Sequence, residues 1–171
     1  TDTRLGTYGC AVLLLYIIAK LQLLTSLGES NWILYACEGA GPALIVTHTL
    51  ARLTSPLLIK TNDYVDEQGP KYKFYSFMVE AKHLVSWERA SFAILTSSVV
   101  SYYAYGAKAA MILITSVLFA VYISGRYADY LLGGVMGDYL GATICMTEVS
   151  LLTIILALPN LSKYLVEPYK W

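Results

Sequence analysis

The sequence has 171 residues, of which 57% are hydrophobic and 14% are charged, and its formal net charge is zero. Soluble domains are about 25% charged, so this chain has too little polar surface for an ordinary soluble protein, and its length predicts a single domain over 1–171. The lack of a basic block argues against nucleic acid as a partner, and three cysteines without a CxxC spacing argue against a disulfide framework or a zinc site.

The first predicted element is an apolar helix over 9–27, "GCAVLLLYIIAKLQLLTSL", which contains one charge, Lys20. A helix that crosses the hydrocarbon core of a membrane needs about 20 mostly apolar residues, and this run has that length. Its apolar part is too long for a signal peptide. The run therefore predicts a membrane-spanning helix.

The second predicted element is the apolar run 31–59, which polar residues and a proline interrupt. Pro42 has no N–H group and would kink or break a helix, so the run predicts a span that is broken near its first third. His48 and Arg52 are four residues apart and are therefore expected to share one helix face.

The stretch 60–89 holds most of the charge of the chain. Gly69-Pro70 marks a turn, and apolar and charged residues alternate irregularly from Phe74 to Arg89. This pattern predicts a helix on the membrane surface or, equally well, a solvated helix that leads into the next span. Either interpretation predicts a polar arm, about 60–89, outside the hydrocarbon.

The third apolar run, 91–123, contains one charge, Lys108. As a single helix it would be about 50 Å long, which exceeds the roughly 30 Å hydrocarbon core, so it predicts a helical hairpin that turns near Tyr105–Lys108. The last run extends over 140–158 and ends at Pro159. The chain is therefore predicted to be an all-α integral membrane bundle of about five spans with one broken helix.

The turn before the last span reads "GGVMGDYLGA", from Gly133 to Ala142. Gly133, Gly134 and Gly137 would let backbone N–H groups approach a ligand closely, and the N-terminus of the following helix favours a phosphate. Asp138 would be either an N-cap or a magnesium ligand. These four residues are the candidate phosphate cradle, and Asp138 is the candidate metal ligand.

Glu148 lies about eight residues into the last span, where a charge is costly and usually faces a bundle interior or a water-filled cavity. Two interpretations remain: a hydrogen-bonded acid that joins helices, or part of a functional site. We expect Glu148 and Asp138 to face the bundle interior. Their expected charge partner is Arg4 or Arg52.

The chain opens with "TDTRLGTYG", immediately before the first span. Together with the glycine turn, this stretch resembles the cobalamin (5′-phosphate) synthases, or adenosylcobinamide-GDP ribazoletransferases. Members carry D-S-R-[IL]-G-T-[YF]-G and G-G-x-T-G-D-x-L-G-A, each leading into an apolar helix. The resemblance covers essentially the whole chain. It implies a magnesium-dependent enzyme that joins a GDP-activated corrinoid to α-ribazole or its phosphate and releases GMP.

The resemblance also implies roles for individual residues. Asp138 would belong to a metal or phosphate site, and Arg4 and Arg52 would bind phosphate. Glu148 would be an orienting acid, and Asp2 is a further acidic candidate in a glycine-flanked stretch at a span end.

Two differences from the family pattern determine the expected function. The acidic segment L-D-G-x-A-D, which precedes the D-S-R stretch in the family, is not in this sequence, and Met136 stands where the family has threonine. We therefore expect a non-catalytic accessory subunit of a larger membrane complex, derived from this family. Its expected partners are membrane lipid and other membrane subunits, it would need no cofactor, and its expected location is an organellar inner or energy-transducing membrane.

The alternative is an active, magnesium-dependent ribazoletransferase whose acidic segment lies upstream or on another chain. A transporter ranks last, because the sequence contains no inverted repeat.

Overall fold

The computed structural model describes residues 7–29, 39–63 and 86–166. The regular elements in these ranges are five α-helices: α1 Thr7–Glu29, α2 Ala40–Ala51, α3 Thr54–Thr61, α4 Trp87–Leu132 and α5 Gly137–Val166. The predicted all-α fold is confirmed. Most of the predicted polar arm, 64–85, lies outside the described residues.

Four helical stretches in the described part of the chain are long and apolar enough to cross a membrane: Gly9–Gly28, Ala40–Thr61, Trp87–Leu132 and Gly137–Leu158. Each consists mainly of side chains that prefer hydrocarbon to water, and each meets or exceeds the length that a bilayer requires. The protein is therefore an integral membrane protein, as predicted.

Helix α4 is divided at Gly106, whose φ of 80° and ψ of 172° are not helical. An L side chain is strained at this positive φ, and glycine is not. The division leaves a helical half over 87–105 and another over 107–132, and each half is long enough to cross the hydrocarbon once.

The two halves of α4 fold back on each other, because both of their distant ends lie beside the end of α3. Lys60 Nζ is 5.8 Å from the ring centroid of Trp87, and the side chain of Asn62 donates a hydrogen bond of 3.2 Å to the carbonyl of Gly125. A straight helix of 46 residues would be about 69 Å long, so it could not bring both ends to adjacent residues. The predicted hairpin is confirmed, and counting its halves separately gives five spans in the described part of the chain.

The second span is broken, and the break that its described part contains lies ten residues after the predicted position, Pro42. Helix α2 begins two residues before Pro42, so this proline lies in the first turn, where a missing N–H group costs no intrahelical hydrogen bond. The break lies at Arg52–Leu53, where the N–H of Leu53 bonds the carbonyl of Leu50 over 3.1 Å. Its cause is Pro56, whose ring would clash with the carbonyl four residues earlier, that of Arg52.

The core of the bundle lies where α2 and α3 pack between α4 and α5. Its fully buried side chains come from all four of these helices and include Leu50, Leu58, Leu113 and Leu152. Helix α1 is peripheral: most of its apolar side chains are exposed, and Leu27 is its buried residue within the described side chains. In a bilayer, this exposed apolar surface faces the lipid.

Candidate functional site

Glu148 lies inside the bundle with 4% of its surface exposed. Its Oε2 accepts hydrogen bonds of 2.6 Å from the hydroxyl of Tyr16 and from Nζ of Lys20. Its Oε1 lies 2.8 Å from Nδ1 of His48. One carboxylate therefore joins α1, α2 and α5, and the prediction that Glu148 faces the interior is confirmed.

Lys20 contacts all three of the other polar side chains of this network. Its ammonium group reaches Glu148 Oε2, the Tyr16 hydroxyl at 3.1 Å and His48 Nε2 at 3.4 Å. An ammonium can only donate hydrogen bonds, and the roles of the two ring nitrogens of His48 depend on its tautomer. The opposite charges of Lys20 and Glu148 lie 2.6 Å apart.

The predicted charge partners of Glu148 were wrong in the case of Arg52. Arg52 is exposed, although its N–H still bonds the carbonyl of His48 over 3.3 Å. The helical spacing is therefore kept, but Arg52 lies about 6 Å farther along the helix than His48. Arg4 lies outside the described residues. Sequence reasoning missed Lys20 as the partner. The signal was available, because the apolar run 9–27 contains one charge, Lys20, and the apolar run 140–158 contains one charge of the opposite sign, Glu148.

A second polar group lies where the helices end. Asn62 donates to the Gly125 carbonyl and, over 2.9 Å, to Oδ2 of Asp129, and the N–H of Val135 donates to the carbonyl of Asp63 over 2.8 Å. The end of α3 thus holds both the last turns of α4 and the turn that leads into α5. We call this region, formed by residues 62–63, 87, 125–129 and 133–137, the Asn62 end of the bundle.

The glycine turn lies at the Asn62 end and terminates α4. Gly133 and Gly134 have φ values of 73° and 151°, and their N–H groups bond the carbonyls of Asp129 and Ala128 over 3.2 and 3.3 Å. Glycine commonly ends helices in this way. Two of the three N–H groups of the predicted phosphate cradle are therefore engaged with helix carbonyls, and the third belongs to Gly137, the first residue of α5.

Asp138 lies in the first turn of α5 and is exposed, so the prediction that it faces the interior is wrong. The buried face of the helix begins at Leu140, and two residues correspond to about 200° of helix rotation. A carboxylate in the first turn is favoured by the helix dipole.

Among the described residues, no group of three or more His, Cys, Asp or Glu side chains is arranged to hold a metal ion. Magnesium is often held by only one or two carboxylates together with phosphates and water, so the role of Asp138 as a metal ligand stays a prediction. Asp2, the other acidic candidate near a span end, lies outside the described residues.

Comparisons with known proteins agree on one family. A family model described as cobalamin-5-phosphate synthase matches residues 1–156. The chain is 28% identical over 160 residues to an adenosylcobinamide-GDP ribazoletransferase of Shewanella amazonensis, covering 92% of this chain and 56% of the relative. The same enzyme name belongs to a relative from Shewanella frigidimarina, which is 32% identical over 158 residues, covering 91% of this chain and 56% of the relative. It also belongs to a relative from Shewanella baltica, which is 30% identical over 161 residues, covering 94% of this chain and 57% of the relative. The chain thus spans little more than half the length of these relatives, and no solved structure matches it.

Proposed function

Because the chain belongs to the cobalamin-5-phosphate synthase family, we propose that it is the membrane-embedded part of an adenosylcobinamide-GDP ribazoletransferase. The reaction would join α-ribazole or its phosphate to the GDP-activated corrinoid and release GMP. The observation that carries this proposal is the extent of the family match, which runs through the described helices to residue 156 and includes the glycine turn and Asp138.

The Asn62 end is the part of the bundle that suits such substrates. A guanosine diphosphate group is charged and cannot enter the hydrocarbon, so its site must lie where the spans meet water. Asp138 is exposed in the first turn of α5, and its carboxylate can accept hydrogen bonds from ribose hydroxyls or interact with a cation that accompanies the diphosphate. The bond from Val135 to Asp63 holds the preceding turn in place.

A non-catalytic accessory role is the second candidate, and one observation favours it. The N–H groups of Gly133 and Gly134 bond helix carbonyls, and Met136 offers a thioether, which is only a weak acceptor, where the family has a hydroxyl. A phosphate would therefore find fewer donors at this turn than the family pattern provides.

The direct test is an activity assay on the full-length gene product in detergent, with adenosylcobinamide-GDP, α-ribazole and magnesium. We expect a new corrinoid product by mass spectrometry. Asp138→Asn should slow its formation at least about tenfold, which corresponds to about 1.4 kcal/mol of transition-state stabilisation. Glu88→Gln is the matched control, because Glu88 is also an exposed acid in the first turn of a helix, and it should change the rate by no more than about twofold.

Folded protein that forms no product above a heat-denatured sample would contradict the enzyme proposal. In that case, migration with a large membrane complex in native electrophoresis would support the accessory role. Product formation that is unaffected by Asp138→Asn would leave the enzyme proposal standing and remove Asp138 from its site.

A further inference from the structure

Helices α2 and α3 run antiparallel to α5. His48 of α2 contacts Glu148 of α5, and Asp63, just after α3, contacts Val135, just before α5. As residue numbers rise along one segment, they fall along the other. The start of α5 is therefore at the same end of the bundle as the end of α3.

Helix α1 must run parallel to α5. Helices α1 and α2 are successive spans, and the ten residues 30–39 between them are too few for another helical crossing. An irregular segment cannot cross either, because hydrocarbon offers no partners to its backbone groups. Helix α1 therefore runs opposite to α2, which brings its N-terminus to the Asn62 end.

The buried network places the first turns of these two helices at one depth. Lys20 and Glu148 are in contact, Gly9 lies eleven residues before Lys20, and Gly137 lies eleven residues before Glu148. In parallel helices, both glycines are then about 16 Å from the network. This is about half the thickness of the hydrocarbon core, so a network near the midplane puts both first turns at the same membrane boundary.

Without this network, little would define the depth of α1. Its outward side chains are apolar and exposed, and lipid tails are as apolar as leucine, so packing against lipid does not favour one depth over another. A shift by one residue would separate Lys20 and Tyr16 from Glu148 in a medium where unpaired polar groups are costly. Buried polar contacts of this kind can specify register.

We propose that Lys20, His48 and Glu148 are positioning residues, which set the depth of α1 against α5. They hold residues 7–9, the end of the stretch "TDTRLGTYG", at the same membrane depth as the glycine turn. The inference rests on the proposed function for its effect on catalysis. The depth itself can be measured without turnover, so the two claims can fail separately.

The test measures a distance and the kinetics in the same variants of the full-length gene product. Spin labels are attached to Cys10, which is exposed on α1, and to Ala142→Cys, which is exposed on α5, with all other cysteines replaced by serine. Lys20→Met and Glu148→Gln should broaden the distance distribution or shift its mean, because a slip of α1 by one residue moves Cys10 by about 1.5 Å along the helix axis. In unlabelled protein, kcat should fall about 100-fold, because misplacement by about 1 Å can cost that much, while KM stays within about twofold of the parent value.

Two further variants separate positioning from general stability. Thr147→Val is the matched control: Thr147 is buried beside Glu148, but its hydroxyl bonds the carbonyl of Thr143 in the same helix, so distance and kcat should not change. The exchange K20E/E148K should restore the distance and part of kcat, because His48 can swap the roles of its two ring nitrogens.

An unchanged distance in both single variants would overturn the proposal, as would a fall in kcat without a change in distance. If the single variants do not fold, Lys20→Met/Glu148→Leu removes both charges together and should fold with a broadened distance. A narrow, parental distance in that variant would also overturn the proposal. Absence of turnover in the parent protein would contradict the proposed function, and the distances would still decide the role of the network.

Discussion

Polar side chains in the described part of the chain form hydrogen bonds of two kinds, and the two kinds have different effects. Most buried hydroxyls bond a carbonyl of their own helix, as Thr47 does with Ala43 and Ser101 with Ser97, both over 2.8 Å. Such bonds satisfy the hydroxyl but do not connect helices. Glu148 and Asn62 instead bond residues of other helices, so they help to decide how the helices are arranged.

Gly125 allows Asn62 to approach α4. A Cβ atom at this position would lie 2.7 Å from Oδ1 of Asn62, so Gly125→Ala should displace Asn62 and break its bonds to α4. We expect a loss of about 0.5–1.5 kcal/mol, the contribution of a typical hydrogen bond, visible as a lower midpoint of thermal unfolding in detergent. Gly141→Ala is the control, because that glycine has nothing within 4 Å. Equal midpoints for the two variants would contradict the prediction, and adding Asn62→Ala to Gly125→Ala should relieve part of the loss.

At the scale of elements, single residues divide the apolar runs into helices of usable length. Pro56 breaks the second span, and Gly106 allows α4 to reverse direction. Both act through the backbone, the proline by removing a hydrogen bond and the glycine by adopting a positive φ. The N-cap of α4 also defines where a helix begins. The side chain of Ser86 accepts a hydrogen bond from the N–H of Arg89, as N-cap residues do.

Gly106→Ala should destabilise the protein for conformational reasons. Nothing lies within 4 Å of the Cβ that would be added, so a loss cannot come from a clash. At a φ of 80° and ψ of 172°, a residue with a side chain is strained by about 1–3 kcal/mol. Thermal unfolding in detergent measures this, with Gly28→Ala as the control at a glycine with similar space and no positive φ. Equal stability of both variants would show that the turn does not need glycine.

At the scale of the whole molecule, the contacts define which ends of the spans lie on the same side of the membrane. The end of α3, both distant ends of α4 and the start of α5 meet at the Asn62 end. Gly106 lies at the other end of the hairpin, about one membrane thickness away.

Cysteine labelling tests this arrangement. In a variant without native cysteines, Asp63→Cys and Asp129→Cys, both exposed, should react with a membrane-impermeant maleimide from one side of sealed vesicles. Lys108→Cys, exposed beside Gly106, should react from the opposite side, because the halves of α4 each cross the bilayer once. Labelling of all three positions from the same side would rule out the hairpin as a pair of spans.

The sequence alone determined the class of the protein and the approximate limits of its spans. The reason is that the thickness of the hydrocarbon acts on each segment separately: a run of about 20 apolar residues crosses it once, and the run 91–123 is too long to do so and must turn. The family resemblance was likewise visible in two short motifs and is confirmed by the match over 1–156. Neither conclusion requires knowledge of which helices are neighbours.

Only the tertiary structure decided which polar residues meet. Lys20 and Glu148 are 128 residues apart, and their contact depends on the rotation, depth and order of three helices around one another. Arg52 was an equally charged candidate, but it lies about one turn beyond His48 along the helix, and its side chain is exposed. Asp138 was assigned to the wrong face of α5. Two residues of helix rotation separate Asp138, which is exposed, from Leu140, which is buried. The sequence does not show which face of α5 the neighbouring helices cover.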